Sequence, residues 1–445
     1  MGIIESPPNF RDIFSNSNNF ERIIKIGQMP ELQNLMFKAN DAYYYWSDLK
    51  HRIPKDTEIK AEEIWAYLKL GRSANSKSAP IMDKNNQIFT YWIPDCLHRN
   101  ISEIDKWSGG QIITNQPNLP SKEKYIINSL MDEAIASSQL EGASTEYIVA
   151  KEMLRSGRKP DNKNEQMIFN NWNAMQFIRD NIKKAVSIDK LCELHVLLTQ
   201  DTLESADDAG RFRERDNIYV TYRDEVVHTP PKAHMLKERM ARLIQFINND
   251  DEEKWIHPVV KGAMCHFWLA YDHPFIDGNG RTARALMYWY LLNRGYELFQ
   301  YLSISKHFLR APGRYVRSYL YTEYDENDLT YFLVYNLVSI RFALHELRKY
   351  ILDKHKEASK ANDLLRSHRG LNLRQKSLIY HSIQYPYTTY TIEAHKNTHG
   401  VAYDTARKDL MLLVSKGFLK KEKEGKKLLL FFPTKKEIEK LRSRI

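Results

Sequence analysis

His273-Pro274-Phe275-Ile276-Asp277-Gly278-Asn279-Gly280-Arg281-Thr282-Ala283-Arg284 is the stretch from which the rest of the chain can be read. Gly278-Asn279-Gly280 stands immediately before a run of good helix formers, Ala283, Ala285, Leu286 and Met287. Glycine permits a tight turn and close backbone approach, and the first N–H groups of a helix attract phosphate oxygens. Arg281 and Arg284 are three apart on that helix, so their guanidinium groups are expected to project from one face toward the same anion. Asp277 precedes the turn, where a carboxylate can hold Mg²⁺ against phosphate. His273 lies outside the helix, and imidazole is the side chain suited to taking a proton near neutral pH. Each feature is common alone. Their ordered coincidence within one short segment points to nucleotide chemistry.

Working outward, both flanks read as helix. The apolar spacing predicts helices over Met167 to Ile182, Ile188 to Leu198, Ala233 to Ile247, Pro258 to Tyr271 and Thr282 to Asn293. One β-rich break interrupts them: Asn217 to Thr221 and Val226 to His228, separated by Arg223-Asp224-Glu225 and ended by Pro230-Pro231. A lone hairpin in a helical domain must pack on something or receive a partner strand.

The central segment resembles the Fic family, whose motif H-x-F-x-[D/E]-G-N-G-R-x-x-R is filled here at every defining position. His266 before it, Gly210-Arg211-Phe212-Arg213 and the hairpin at 217–228 are also similar to the family. The resemblance implies a mainly α fold, an all-helical Fic core with a β-hairpin flap. It also implies Mg²⁺-dependent transfer of AMP from ATP to a Ser, Thr or Tyr hydroxyl of a target protein that docks on the flap. His273 would be the catalytic base and Asp277 the metal ligand. Phe275, Ile276, Asp277, Gly278, Asn279, Gly280, Arg281 and Arg284 would contact the nucleotide, Arg284 at the γ-phosphate, with Tyr315 bordering the adenine. Relatives acting as kinases usually carry Lys where this chain has Gly280. Departures from the family pattern are Ala283 in place of a frequent glycine and Asp272 at a commonly apolar position.

Upstream, Ser137-Ser138-Gln139-Leu140-Glu141-Gly142 places Ser137 and Glu141 four apart on a helix face, with Gly142 as a stop. The segment resembles the family's inhibitory helix, which implies that Glu141 pairs with Arg284 and denies it to the γ-phosphate. In some relatives the same glutamate serves removal of AMP from the target, and the sequence leaves brake and hydrolase both open.

The remaining chain divides by composition. Residues 1–115 form an aromatic-rich region with a helix at Ala61 to Leu70, a hairpin around Asp83 to Gln87, and a Tyr43 to Trp46 cluster read as core. A breaker-rich linker, Asn115 to Pro120, opens the catalytic domain (116–345), in which Ser121 caps the next helix. A charged connecting helix (346–370) leads to 371–445, which looks like a winged helix-turn-helix domain with Tyr403 to Leu410 as recognition helix. Lys423, Lys426 and Lys427 are on its wing turn. The last 45 residues hold 13 Lys/Arg against six Asp/Glu, most of the chain's net charge of +10. DNA contact and protein contact are both open for this module, as is a regulator whose Fic domain only modifies itself.

The 445 residues are 42% hydrophobic and 27% charged, ordinary globular values. Mean hydropathy is −0.57, and no apolar run approaches the roughly 18 residues of a membrane helix. Three scattered cysteines, Cys96, Cys192 and Cys265, exclude a disulfide scaffold and a cysteine zinc site. The expected setting is cytoplasmic, the expected assembly a homo-oligomer, and no membrane partner is expected.

Overall fold

The computed structural model describes residues 4–15, 17–55, 57–108, 122–364, 370–424, 428–435 and 439. The linker at Asn115 to Pro120, the Ser121 cap and the wing-turn residues Lys426 and Lys427 lie outside them. The chain forms two compact units, each assembled from three stretches: Met1–Lys106, Phe177–Gly295 and His307–Arg341; and Trp107–Gln176, Tyr296–Lys306 and Phe342–Ile445.

The first unit opens with helices α1 (Phe10–Ser15), α2 (Ser17–Lys25), α3 (Pro30–Asp41), α4 (Trp46–Lys50) and α5 (Ala61–Asn75). Tyr43, Tyr45 and Trp46 are buried among them, as the aromatic cluster predicts, and Tyr45 stacks on Tyr321 at 3.9 Å. The hairpin β1 (Lys77–Met82) and β2 (Ile88–Tyr91) follows, then α6 (Asp95–Ser108). In the second unit, α7 (Lys122–Leu140) and α8 (Tyr147–Ser156) close a small core with Met131, Ile135 and Met153, and α9 (Lys163–Asp180) leads back to the first unit's residues.

The central helices of the first unit are α10 (Ile188–Thr199), α11 (Leu236–Asn248), α12 (Pro258–Asp272) and α13 (Asn279–Asn293). Nearly every residue of α12 and α13 is buried, the apolar run Leu286–Leu292 of α13 together with polar residues of its first turns. Helix α13 begins at Asn279, three residues earlier than its apolar spacing predicts. The hairpin is β3 (Val220–Tyr222) against β4 (Glu225–His228), turning at Arg223 and Asp224 with φ of 53° and 64°. Residues 217–219 stay outside the ladder. Then come α14 (Ser305–Arg310), α15 (Pro312–Tyr324) and α16 (Thr330–Leu364).

The C-terminal part of the second unit contains α17 (Leu373–Gln384), β5 (Tyr390–Thr391), α18 (Ile392–His399), α19 (Tyr403–Ser415), β6 (Leu419–Glu424) and β7 (Leu428–Pro433). The strands pair in the order β5-β7-β6, and Leu378, Ile379, Leu410, Leu413 and Phe431 fill the core. This order is compatible with a winged helix-turn-helix. The short β5, where the sequence shows only a Thr/Tyr-rich bridge, is the added strand. Asp409 anchors the assembly: Arg374 Nε donates to it at 2.6 Å, Asn372 Nδ2 at 2.7 Å, and His395 lies at 3.3 Å. These donors hold its carboxyl below the usual range despite burial. Among the described residues no helix is long and apolar enough to cross a membrane.

Candidate active site

Helix α12 ends at His273, whose N–H bonds the Leu269 carbonyl at 3.0 Å while its backbone takes φ of 48°. A left-handed non-glycine residue is uncommon and must be held by its surroundings. The holder is Arg213, 4% exposed. Its Nε donates to the His273 carbonyl at 2.9 Å, its N–H to the Pro274 carbonyl at 2.8 Å, and its Nη2 to the Pro231 carbonyl. One buried guanidinium therefore fastens the His-Pro turn to the chain on both sides of the hairpin.

The loop from His273 to Gly278 is closed from below by Asn279. Its Nδ2 donates to the Phe275 carbonyl at 2.8 Å, and the Phe275 N–H donates to Oδ1 at 2.9 Å. The Asn279 side chain is thus committed to the loop. Phe275 is fully buried, and Ile276 and the Asp277 carboxylate face outward. Gly278 caps α13 with φ of 78°; a Cβ there would sit 2.8 Å from Thr199 Cγ2. The positive φ and the close approach each demand glycine. Beyond it, the N–H groups of Asn279, Gly280 and Arg281 start the helix without intrahelical acceptors, an anion-attracting end.

His195 supports this turn, although in the sequence it is one histidine within the apolar helix from Ile188 to Leu198. Its ring stacks on Phe275 at 3.8 Å. Gly210 N–H donates to Nδ1 at 2.9 Å, so Nε2 carries the proton and donates to the Asp277 carbonyl at 2.9 Å. Burial pushes its pKa down to about 4, so the ring is neutral at pH 7. Its signal in the sequence was a histidine among Leu191, Leu194 and Leu198, a pattern that more often means a satisfied core residue.

Both arginines are 1% exposed. Arg281 Nη1 donates to the Leu198 carbonyl at 2.8 Å, and Nη2 lies 3.7 Å from Asp277. Arg284 acts electrostatically on His266, whose pKa falls to about 3, chiefly through burial and then through that charge. His266 Nε2 is 2.8 Å from the Tyr315 hydroxyl, and the Tyr315 ring stacks on Phe308 at 4.5 Å.

Asp272 proves to be a buried ion-pair partner. Arg239 donates to it through Nε at 2.8 Å and Nη2 at 2.6 Å, and Trp268 Nε1 at 3.1 Å. At the hairpin base, His228 bonds the Tyr271 carbonyl at 2.7 Å and Glu323 at 2.9 Å, fixing β4 to the end of α12. His273, Asp277 and the amides that open α13 thus belong to one supported loop. Ser137, Glu141 and Gly142 belong to the second unit: Ser137 is buried, while Glu141 is exposed in the turn after α7, where Gly142 has φ of 94°. Among the described residues no group of three His, Cys, Asp or Glu could hold a metal. A single outward carboxylate, Asp277, still fits Mg²⁺, which takes one or two carboxylates and draws its other ligands from phosphate and water.

Residues 185–291 match the family model described as Fic/DOC family, so the chain carries a Fic domain there. Proteins named Protein adenylyltransferase Fic, from Drosophila ananassae and Drosophila willistoni, are each 34% identical over 179 residues. Those residues are 39% of this chain, which spans about a third (33%) of the length of these curated relatives. Among solved structures, a Fic family protein from Desulfovibrio desulfuricans G20 aligns with a TM-score of 0.50 and 18% identity. The alignment covers 76% of this chain and 95% of that one, a likeness of fold.

Proposed function

We propose that this chain uses the His273–Arg284 loop to transfer AMP from ATP to a hydroxyl side chain of a protein, itself included. The observation that carries the reading is the loop's construction. A histidine held in a left-handed turn by Arg213 stands one loop away from an outward carboxylate and an open helix N-terminus. In this reading His273 takes the proton of the attacking hydroxyl, and the α13 amides bind phosphate oxygens. Arg281, Arg284 and Tyr315 complete the nucleotide contacts. Asp277 would hold Mg²⁺, which neutralises phosphate charge when bound. The target would lie along the β3–β4 hairpin. Glu141 is proposed as a brake that competes with the γ-phosphate for Arg284, and the C-terminal module as a docking surface for duplex DNA.

The test is label transfer from α-³²P-ATP against γ-³²P-ATP, on wild type and His273→Ala. Label is expected from the α position only, and the substitution is expected to lower its rate by about 10²–10⁴-fold while ATP binding persists. Transfer from the γ position would make the chain a kinase; an unchanged rate in folded His273→Ala would remove the base.

A further inference from the structure

Helix α18 belongs to the C-terminal module, yet none of its eight residues is exposed. One side faces the module's own core: Ile392 is part of that cluster, and the His395 ring meets Asp409. The other side carries Ala394 and Asn397, three apart and both outside that core cluster. Helix α18 packs along α7 and α8 of the same compact unit. Asn397 Nδ2 donates to the Arg155 carbonyl near the end of α8, and Ala394 is 8% exposed.

Helix α7 is the one that leads into the turn at Glu141, and it is fastened at further points. Glu133, 1% exposed, accepts from Ser303 Oγ at 3.2 Å and the Ser305 N–H at 3.0 Å, and Ser138 Oγ donates to the Met167 carbonyl at 3.1 Å. A helix held from one side by these bonds and from another by α18 cannot shift without disturbing the C-terminal module. We propose that the C-terminal module is a clamp on the inhibitory helix, so that displacing α18 from α7 and α8 releases AMP transfer. The inference rests on the reading of Glu141 as a brake and adds what sets that brake. Coupling between packed elements typically changes an equilibrium about 5- to 150-fold.

The experiment compares AMP incorporation from α-³²P-ATP by the full-length wild type, Glu141→Gly, Ala394→Arg, Asn397→Ala and Ala394→Arg combined with Glu141→Gly. Ala394→Arg places a long cation at a buried position of α18 and is expected to raise incorporation about 5- to 150-fold. Asn397→Ala, which removes one hydrogen bond and adds no bulk, is expected to raise it in the same direction by less. It keeps the test open if the arginine variant fails to fold. On the Glu141→Gly background, Ala394→Arg is expected to add nothing, because the brake is already gone. A gain of activity is a readout that damaged folding does not give. If Glu141→Gly activates while Ala394→Arg and Asn397→Ala stay at the wild-type level, the clamp is wrong and the brake stands. If Glu141→Gly does not activate, both fall.

Discussion

His195 carries a consequence that can be measured. It is buried and neutral in the fold, with its pKa pushed from 6.5 to about 4, mainly by burial. Between those values the unfolded chain binds the proton that the folded chain refuses, so this residue makes stability fall as pH drops from 6.5 toward 4. The linkage amounts to about 2 kcal/mol between pH 7 and pH 5. Buried Asp272 and Asp325, whose carboxyl pKa values burial raises, act in the opposite sense, so the whole-protein slope mixes these contributions. His195→Gln isolates the term. The stability difference between wild type and variant, from urea unfolding at each pH, is expected to shrink by about 2 kcal/mol on going from pH 7 to pH 5. A difference independent of pH would mean the ring is protonated when folded. At this scale much of the candidate site was legible in the sequence, because His273, Asp277, Gly278 and both arginines sit in one contiguous motif. His195 and Arg213 were harder to assign because their roles come from hydrogen bonds to carbonyls at Asp277 and His273, more than fifty residues away.

At the scale of elements, Arg239 and Asp272 join α11 to α12, and Arg239 also reaches the Met82 carbonyl at the end of β1. The aspartate looked misplaced in the sequence because its partner is 33 residues away on another helix. Removing one member of a buried pair leaves the other charge uncompensated, at a cost of about 3–5 kcal/mol. Asp272→Ala is therefore expected to lower unfolding stability by that amount. Asp272→Leu combined with Arg239→Met is expected to lose less than Asp272→Ala alone, since no orphaned charge remains. Urea denaturation checks both, and a loss below about 1 kcal/mol for Asp272→Ala would assign the pair to the surface. The helices were legible from their apolar spacing, and their ends were not. Helix α13 starts at Asn279 because that side chain closes the loop before it, a contact the spacing does not encode.

Across the whole molecule, the sequence divides by composition at 115, 345 and 370, while the compact units are assembled from stretches that leave and return. The charge surplus of the last 45 residues was legible as a number, and its direction was not, because that depends on strand register. The β6–β7 pairing supplies the direction. Lys421 lies opposite Phe431 and Lys423 opposite Leu429, on the ribbon face whose Leu419 and Phe431 enter the module core beside α19. Lys420 lies opposite Phe432 on the other face, where it bonds Glu422. Arg407 and Lys408 on α19 are exposed as well. If that face and Arg407 and Lys408 of α19 together meet a phosphate backbone, four cations give a slope of about −3 to −4 in log affinity against log salt. Lys421→Glu and Lys423→Glu are each expected to weaken duplex binding and flatten the slope by about 0.9 or more. Lys420→Glu changes charge equally but on the opposite face, and is expected to leave both nearly unchanged. Gel shifts with a random duplex across a salt series distinguish the cases. Equal losses at 420 and 421 would mean a diffuse field and no docking face, and absence of any shift in wild type would leave the module to protein contact, consistent with α18 already being packed on α7 and α8.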